Sequence, residues 1–306
     1  MIRGAIAAPA GRARRAAGAL EVLWRFSRPH TVIGTTVSIV AIYLVAVDEG
    51  LGSGAGDLAL TLLAGLCVNV YIVGINQLED VEIDRVNKPY LPLAAGDMTR
   101  EQARALVAAA GIVPVVLALT QGWAELAAVL AGLAVGTAYS VPPLRLKRFP
   151  VLASLSISGV RSVVVNLGVY AHFGTVIPAP IWALTLFVVP FSFAIAILKD
   201  VPDMEGDRRF RVMTFSVRLG AERVLQVALA ALAVAYLGMA AIGPVALDTA
   251  DPVLLAAGHL GALAVLWRWS READVADHVS FTRFYMRVWK LFFLEYALVA
   301  LACLAG

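Results

Sequence analysis

The sequence predicts an all-α fold, a polytopic membrane protein whose nine transmembrane helices form a single bundle. Of its 306 residues, 60% are hydrophobic and only 15% are charged, whereas a soluble domain has roughly 45–50% apolar and about 25% charged residues. The apolar residues are gathered in blocks of the roughly 17–25 residues that a helix needs to cross a bilayer. Short connections such as Gln121–Gly122 leave no room for a separate soluble domain, so one compact bundle is expected.

The apolar blocks define the elements in chain order. Residues 1–30 are expected to form a basic cytoplasmic N-terminal tail, and residues 31–306 to form the nine-helix domain. The predicted spans are Thr31–Val47, Leu58–Leu78, Ala103–Thr120, Trp123–Ser140, Val151–Ala171, Ile181–Leu198, Ala221–Gly243, Pro252–Trp269 and Val288–Ala305.

The distribution of Lys and Arg supports this order of spans. Basic residues lie in the N-terminal tail and after spans two, four, six and eight, whereas the connections after spans one, three, five and seven contain none. The positive-inside rule therefore predicts a cytoplasmic N-terminus and an external C-terminus. Of the 25 basic residues, only Arg161 is expected deep within a span. We attribute the small net charge of +3 to topology, and it gives no reason to expect a nucleic-acid partner.

Two acidic motifs follow spans two and six, on the predicted cytoplasmic side. Carboxylates clustered against a bilayer repel one another and lose hydration, so such clusters usually hold cations. In each motif three side chains recur at intervals of three or four residues, which predicts one row on a helical face. Oxygen ligands without His or Cys favour Mg²⁺ over other cations. The rows are Asn76, Asp80 and Asp84 in the first motif, and Asp200, Asp203 and Asp207 in the second.

The basic residues near these motifs suit a phosphorylated substrate. Mg²⁺ in proteins is usually held by a few carboxylates, and phosphate oxygens complete its coordination. Cationic side chains beside the metal stabilise the charge that develops on a departing diphosphate. The alternative is that any single carboxylate here is solvated surface, as we expect for Glu79, Glu82 and Glu205. The candidate diphosphate-binding residues are Lys88, Lys147, Arg148, Lys199 and Arg208.

The motifs resemble a known family. The run NQLEDVEIDRVNKPYLPLAAGDM, residues 76–98, closely resembles the first signature of the UbiA superfamily of intramembrane prenyltransferases, and KDVPDMEGD, residues 199–207, resembles the second. Together with the number of spans, the likeness covers nearly the whole chain. The segments FSRPHT (26–31), NKPYLP (87–92) and FYMRVWKLFFLEY (284–296) are similar to the homogentisate prenyltransferases of tocopherol and plastoquinone synthesis.

The resemblance implies a central cavity that opens near the cytoplasmic face and a reaction that depends on Mg²⁺. The metal ions would be held by Asn76, Asp80, Asp203 and Asp207, with Asp84 and Asp200 as ligands or partners of ligands. The expected reaction moves a long prenyl chain, of phytyl or geranylgeranyl type, from prenyl diphosphate to homogentisate with loss of CO₂. The alternatives keep the fold but change the acceptor to 4-hydroxybenzoate or another phenolic acid, or make the protein a terpene cyclase.

Four further residues are candidates for binding the aromatic acid. Arg28 and Arg161 carry charges that suit a carboxylate, and the alternatives are a topology charge for Arg28 and an ion pair with Glu295 for Arg161. The ion pair is slightly favoured. Tyr139 is expected near the acceptor or as an interfacial anchor, and Asn166 lines the cavity or bonds a neighbouring helix.

A transporter is the alternative from a different class. Transport predicts ionisable groups near the bilayer midplane. This sequence concentrates its charged residues at one face, with only Arg161 and Glu295 expected to be deep. The pattern disfavours transport.

Overall fold

The computed structural model describes residues 9–51 and 54–306, the first nine of them (9–17) as backbone only. Within these ranges the chain is helical and contains no strand, which confirms the all-α prediction. The helices are α1 (Pro9–Phe26), α2 (Pro29–Asp48), α3 (Ala55–Glu79), α4 (Val81–Asn87), α5 (Pro92–Ala95), α6 (Arg100–Gln121), α7 (Trp123–Ser140), α8 (Pro150–Gly159), α9 (Val169–Phe173), α10 (Ala179–Leu198), α11 (Met204–Arg209), α12 (Phe215–Leu219), α13 (Ala221–Ala246), α14 (Pro252–Ser270) and α15 (His278–Leu304).

One predicted span contains an irregular segment. Helix α8 continues through a π-helical stretch, Val160–Gly168, into α9, so that residues 150–173 form one uninterrupted rod. A π-helix is wider than an α-helix, and such segments are frequent at functional sites. This stretch carries Arg161 and Asn166.

Six helical segments form a closed ring. In order around the ring, α2 contacts α3, α3 contacts α7, α7 contacts the π-helical stretch, that stretch contacts α10, α10 contacts α15, and α15 returns to α2. Helix α6 packs outside α3 and α7, whereas α13 packs outside α10 and α14 outside α15. A large apolar core joins the α10, α13, α14 and α15 side of the bundle. The ring leaves a cavity at its centre.

Eight helices in the described part of the chain are long and apolar enough to cross a membrane. They correspond to the first eight predicted spans. The ninth predicted span lies in α15, a 27-residue helix in which the charged residues Arg287, Lys290 and Glu295 interrupt the apolar sequence. The protein thus has a helix at each of the nine positions, and the count of nine membrane crossings stays a prediction.

The predicted N-terminal tail is helical over Pro9–Phe26, and the end of this helix joins the bundle. Phe26 is fully buried beside Val81 and Val107, and the Gln77 side-chain amide donates a hydrogen bond to the Phe26 carbonyl at 2.8 Å. Residues 1–8 lie outside the described ranges. The end of α1 thus helps to fix α3, the helix that leads into the first acidic motif.

Both acidic motifs interrupt their helices, so the prediction of continuous helical rows is wrong. Helix α3 ends at Glu79, and Asp80 is the junction residue between α3 and α4. In the second motif α10 ends at Leu198, and a turn precedes α11. Pro202 in that turn has no backbone N–H to donate and resists helix continuation. The side chains therefore meet through bends in the backbone.

Candidate active site

The central cavity has a volume of about 700 Å³ and lies inside the ring. Along α3 its lining runs from Thr61 to Asn76, a helical rise of about 22 Å. Most of the wall is apolar, and most of the charged lining residues gather at the end where α3, α7 and α10 terminate. A long apolar chamber with one charged end suits a ligand with a hydrocarbon tail and an ionic head.

Asp80 holds the first motif together at this charged end. Its carboxylate accepts hydrogen bonds from Lys147 at 2.5 Å and from Arg145 at 3.1 Å. The Asn76 amide donates to the same carboxylate at 3.1 Å. Lys147 is brought here by the short 3₁₀ helix Leu146–Arg148, which follows the double proline that ends α7. Lys147 was among the predicted diphosphate-binding residues, whereas Arg145 was expected only as a positive-inside anchor.

Lysine side chains connect the carboxylates of the second motif. Lys88, which follows α4, donates to Asp203, which precedes α11. Lys199 donates to Asp200 and lies beside the phenol of Tyr139. These pairs place an ammonium group beside two carboxylates of the second motif, so the negative charge of the site is partly balanced in the ligand-free protein.

A second bridge between the motifs involves Asn87, which the sequence analysis did not select. Its side-chain oxygen accepts a hydrogen bond from the Gly206 backbone N–H at 2.9 Å, and its amide nitrogen lies 3.4 Å from Asp207. The sequence signal for Asn87 was its place at the start of the NKPYLP segment. In the structure, only a glycine at position 206 leaves room for the Asn87 amide.

Two carboxyl groups of the site have raised pKa values. Burial raises the pKa of Asp84 to about 6. Burial and the nearby charges of Asp200 and Asp203 raise the pKa of Asp207 to about 7. Asp84 also has a buried carboxylate oxygen, Oδ2, without a hydrogen-bond partner. Asp84 therefore keeps one carboxylate oxygen available for a cation.

The donor set fits Mg²⁺ provided that a ligand completes its coordination. No three Asp, Glu, His or Cys side chains of the described residues are close enough to form a ready-made metal site. Mg²⁺ commonly uses one or two carboxylates together with substrate phosphates and water. The buried, unpartnered oxygen of Asp84 and the acceptor-only chemistry of the neighbouring carboxylates meet that requirement.

The predicted cationic residues fall into two groups. Lys88, Lys147 and Lys199 line the cavity. Arg148 and Arg208 are exposed to solvent and are not among the residues that line it. The three lysines are thus assembled with the acidic motifs, whereas these two arginines lie outside the chamber.

The candidates for binding the aromatic acid are also separated. Arg28 has a left-handed backbone, with φ of 55°, directly before Pro29, and such strain in a non-glycine residue is most often found at functional sites. Its charge is close enough to lower the pKa values of Asp84 and Lys88, although burial is the larger influence on both groups. Tyr139 lines the cavity beside Lys199.

Asn166 is fully buried and does not line the cavity. Its side-chain oxygen accepts a hydrogen bond from the Tyr296 hydroxyl at 2.7 Å. This contact joins the π-helical stretch to α15 and agrees with the helix-packing alternative.

The favoured pairing of Arg161 with Glu295 is wrong. Glu295 pairs instead with His259 at 3.2 Å, and both side chains are completely buried between α14 and α15. The guanidinium of Arg161 lies 4.3 Å from the ring centroid of Trp289. His259 was not predicted as the partner of Glu295, because nothing in the sequence indicates which face of α14 meets α15.

The expectation that Arg161 and Glu295 were the only deep charges overlooked Glu125. This residue is 3% exposed, lines the cavity and has an unpartnered carboxylate oxygen, Oε2. It lies in the first turn of α7, at the opposite end of the chamber from the acidic motifs. Its position one turn inside a predicted span was the available signal.

Fold and cavity together define an integral membrane enzyme with an intramembrane chamber, suited to a substrate that joins an ionic head to an apolar tail. Large apolar side chains such as Trp123, Leu186 and Val245 are well exposed on the outside of the bundle, which is the surface that lipid requires.

Comparison with known proteins identifies the class more closely. The UbiA prenyltransferase family matches residues 35–291. The chain belongs to this family and is a prenyltransferase.

Known relatives share most of the chain. A homogentisate phytyltransferase of Synechocystis sp. is 46% identical over 295 residues, which cover 92% of this chain and 96% of that protein. A homogentisate geranylgeranyltransferase of Triticum aestivum is 37% identical over 92% of this chain and 72% of its own length. The structure of a UbiA homologue from Archaeoglobus fulgidus, solved with GPP and Mg²⁺, aligns with a TM-score of 0.62 at 18% identity over 91% of this chain and 99% of its own. That last likeness concerns the fold.

Proposed function

We propose that the protein transfers a long prenyl chain, of phytyl or geranylgeranyl type, from its diphosphate to homogentisate with loss of CO₂. The observation that carries the proposal is the single cavity that joins both acidic motifs to an apolar chamber running about 22 Å along α3. The likeness to homogentisate phytyltransferase over almost the full length of both chains supports the choice of substrates.

The charged end of the cavity would bind the diphosphate. Mg²⁺ would be held by Asn76, Asp80 and Asp84 from the first motif and by Asp200, Asp203 and Asp207 from the second, and when bound it supplies positive charge to the leaving diphosphate. Lys88, Lys147 and Lys199 lie at the same end. Their ammonium groups would turn from the carboxylates to the phosphate oxygens, since the metal then compensates the carboxylates.

The reaction begins when the bond between the allylic carbon and the diphosphate oxygen breaks, and the electron pair leaves with the diphosphate. A ring carbon of homogentisate attacks the allylic cation and forms the new carbon–carbon bond. The carboxylate leaves as CO₂, and its electron pair stays on the methylene carbon. The proton displaced from the ring balances the proton that this carbon takes up. Tyr139, beside Lys199, would contact the acceptor or the cation at this junction.

The apolar wall would protect the cation. Side chains such as Val68, Ile72 and Val164 line the chamber, and they dissolve the prenyl tail while excluding water that would otherwise capture the cation. The ring of six helices thus serves both solvation of the tail and selectivity of the reaction.

The proposed orientation places the N-terminus and the charged end of the cavity on the cytoplasmic side. The alternation of basic connections supports it. Cysteine accessibility in sealed vesicles tests this orientation. A label that cannot cross the membrane should react with Arg208→Cys from the cytoplasmic side and with Asp251→Cys from the other side. Reaction in the reverse pattern would contradict the proposal.

The test of function is product analysis with purified protein. Mg²⁺, geranylgeranyl or phytyl diphosphate and homogentisate labelled at its carboxylate should yield labelled CO₂ and a prenylated methylquinol. If the prenyl chain is transferred only to 4-hydroxybenzoate, the acceptor is 4-hydroxybenzoate and the proposed homogentisate acceptor is wrong. Diphosphate release at full rate without any acceptor would favour a cyclase, and no turnover with any phenolic acid would contradict the proposal.

A further inference from the structure

Arg161 is a charged side chain without a charged partner. It lines the cavity, its Nη1 atom is buried, and that atom has no hydrogen-bond partner. No Asp or Glu within the described ranges forms an ion pair with it. A guanidinium at membrane depth is costly unless an anion or a polar group compensates it. A ligand anion is therefore the missing element.

Aromatic rings hold this guanidinium in place. Its central carbon lies 4.3 Å from the ring centroid of Trp289 and 5.9 Å from that of Phe292. Such contacts stabilise a cation through the ring quadrupole, but they leave its in-plane N–H groups available. Arginine presents those groups as a planar fork that matches a carboxylate. Arg161 is thus pre-oriented without being neutralised.

The titratable groups that act most strongly on the charge of Arg161 are phenols, those of Tyr285, Tyr296 and Tyr139. Tyr139 also lies beside Lys199, at the charged end of the cavity. Tyr139 therefore connects the surroundings of Arg161 with the charged end of the cavity.

The second unpaired arginine of the cavity has a different environment. Arg28 influences Asp84 and Lys88, which belong to the charged end where the diphosphate is proposed to bind. A carboxylate bound by Arg28 would compete for that space. Arg28 thus acts on groups of the charged end, whereas no carboxylate is among the groups that act on Arg161.

From these contacts we infer that Arg161 is the residue that selects an aromatic acid as acceptor, by binding its carboxylate before the ring meets the allylic cation. The inference rests on the proposed function, and it adds the group that recognises the carboxylate of the acceptor. The ligand class is a phenolic acid whose carboxylate is borne on the ring or on a short side chain.

The kinetic test compares two acceptors that differ by the carboxylate, homogentisate and methylhydroquinone. Arg161→Gln should raise the KM for homogentisate about 10- to 100-fold, the loss expected for a charge-assisted hydrogen bond. The KM for prenyl diphosphate and the kcat/KM for methylhydroquinone should change by less than about threefold, because neither involves the guanidinium. Arg161→Lys should recover only part of the loss, since an ammonium group lacks the fork. Equal loss for both acceptors, or an unchanged KM for homogentisate, would overturn the inference.

A binding experiment separates this inference from the proposed function. Calorimetric titration of the full-length protein in detergent with homogentisate should show binding to the unmodified chain and about 10- to 100-fold weaker binding to Arg161→Gln. Ser162→Ala, one residue along the same π-helical stretch and turned away from the cavity, should bind as the unmodified chain does. This pattern would support the binding of the acceptor's carboxylate by Arg161 even if no prenylated product forms. Equal affinity of the unmodified chain and Arg161→Gln, or no binding to either, would overturn it.

Discussion

The side-chain oxygen of Asn87 accepts a hydrogen bond from the backbone N–H of Gly206 at 2.9 Å, and this contact joins the two acidic motifs across 119 residues of sequence. Helices α4 and α11 pack against each other at this point. Since Asp84 lies on α4 and Asp207 on α11, the contact sets the spacing of carboxylates that come from opposite halves of the chain. The geometry of the charged end depends on it.

Replacing either partner of this contact should impair the reaction. Asn87→Ala leaves the Gly206 N–H without its partner, and Gly206→Ala places a Cβ atom against the Asn87 amide. Each change should lower kcat about 10- to 100-fold, the range seen when residues that orient metal ligands are lost. Gly238→Ala, where a Cβ meets nothing within 4 Å, is the matched control and should leave kcat unchanged. Full activity of both variants would show that the motifs do not depend on this bridge.

Lys147 and Arg148 are neighbours in sequence with opposite environments, and they form a natural pair of test positions. Lys147 is buried against Asp80, whereas Arg148 is exposed outside the cavity. Lys147→Ala should reduce kcat/KM for prenyl diphosphate by about 100-fold or more. Arg148→Ala should change it by less than about threefold. Steady-state kinetics with varied prenyl diphosphate decide the matter, and equal effects would mean that the exposed arginine also reaches the substrate.

The raised pKa values predict how stability depends on pH. Burial raises the pKa of Asp84 to about 6 and that of Asp207 to about 7, from 3.8. Between pH 3.8 and about 7 the native state therefore binds more protons than the unfolded state, and the free energy of unfolding falls as pH rises. The Tm of the ligand-free protein in detergent should decrease over this range. Asp207→Asn should flatten the upper part of the decrease, whereas a Tm that rises from pH 5 to 7 in the unmodified protein would contradict these shifts.

The same groups predict the pH dependence of metal binding. Coordination requires deprotonated carboxylates, so protons compete with Mg²⁺. With prenyl diphosphate present, the apparent affinity for Mg²⁺ should increase from pH 5.5 to pH 8 and then level off. Calorimetry in two buffers of different ionisation enthalpy should detect proton release at pH 6.5. Affinity independent of pH would exclude Asp84 and Asp207 from the metal site.

The buried pair of His259 and Glu295 should contribute to stability and not to acceptor binding. His259→Leu leaves the Glu295 carboxyl buried without its partner, and breaking such a pair costs about 3–5 kcal/mol. Adding Glu295→Gln should recover part of that loss. Thermal unfolding in detergent measures both effects. Glu295→Gln alone should leave the KM for homogentisate unchanged, and an altered KM would mean that Glu295 acts on Arg161 after all.

Long apolar blocks made most of the fold predictable. The predicted span Trp123–Ser140 coincides with α7, and Ala103–Thr120 falls within α6, Arg100–Gln121. In each case charged, glycine or proline residues bound a block whose length alone defines a membrane helix. The bends at the acidic motifs were harder to predict. Helical spacing continues through Asp80 without Pro or Gly, whereas Pro202 in the second motif was a visible reason for a break.

The members of the site were predictable from residue type, but their partners were not. Their positive charge near the membrane surface made Lys147 and Arg148 equally good candidates. In the structure, the turn after α7 buries Lys147 and exposes Arg148. Similarly, the sequence placed Arg161 deep in the bundle but did not indicate whether it faced Glu295 or the cavity. Arg161 lies in the π-helical stretch and lines the cavity, and the spacing of residues in the sequence does not reveal such a stretch.

The central claim is that both acidic motifs bind one metal–diphosphate group at the charged end of the cavity. The most direct measurement is an experimental structure with Mn²⁺ in place of Mg²⁺ and a non-reacting geranylgeranyl thiodiphosphate, with the metal located by its anomalous signal. We predict metal peaks beside Asp80 and Asp203, the diphosphate between them within reach of Lys147, and the tail along α3 towards Thr61. Metal bound to one motif alone, or a diphosphate on the outer surface near Arg148 and Arg208, would contradict the account.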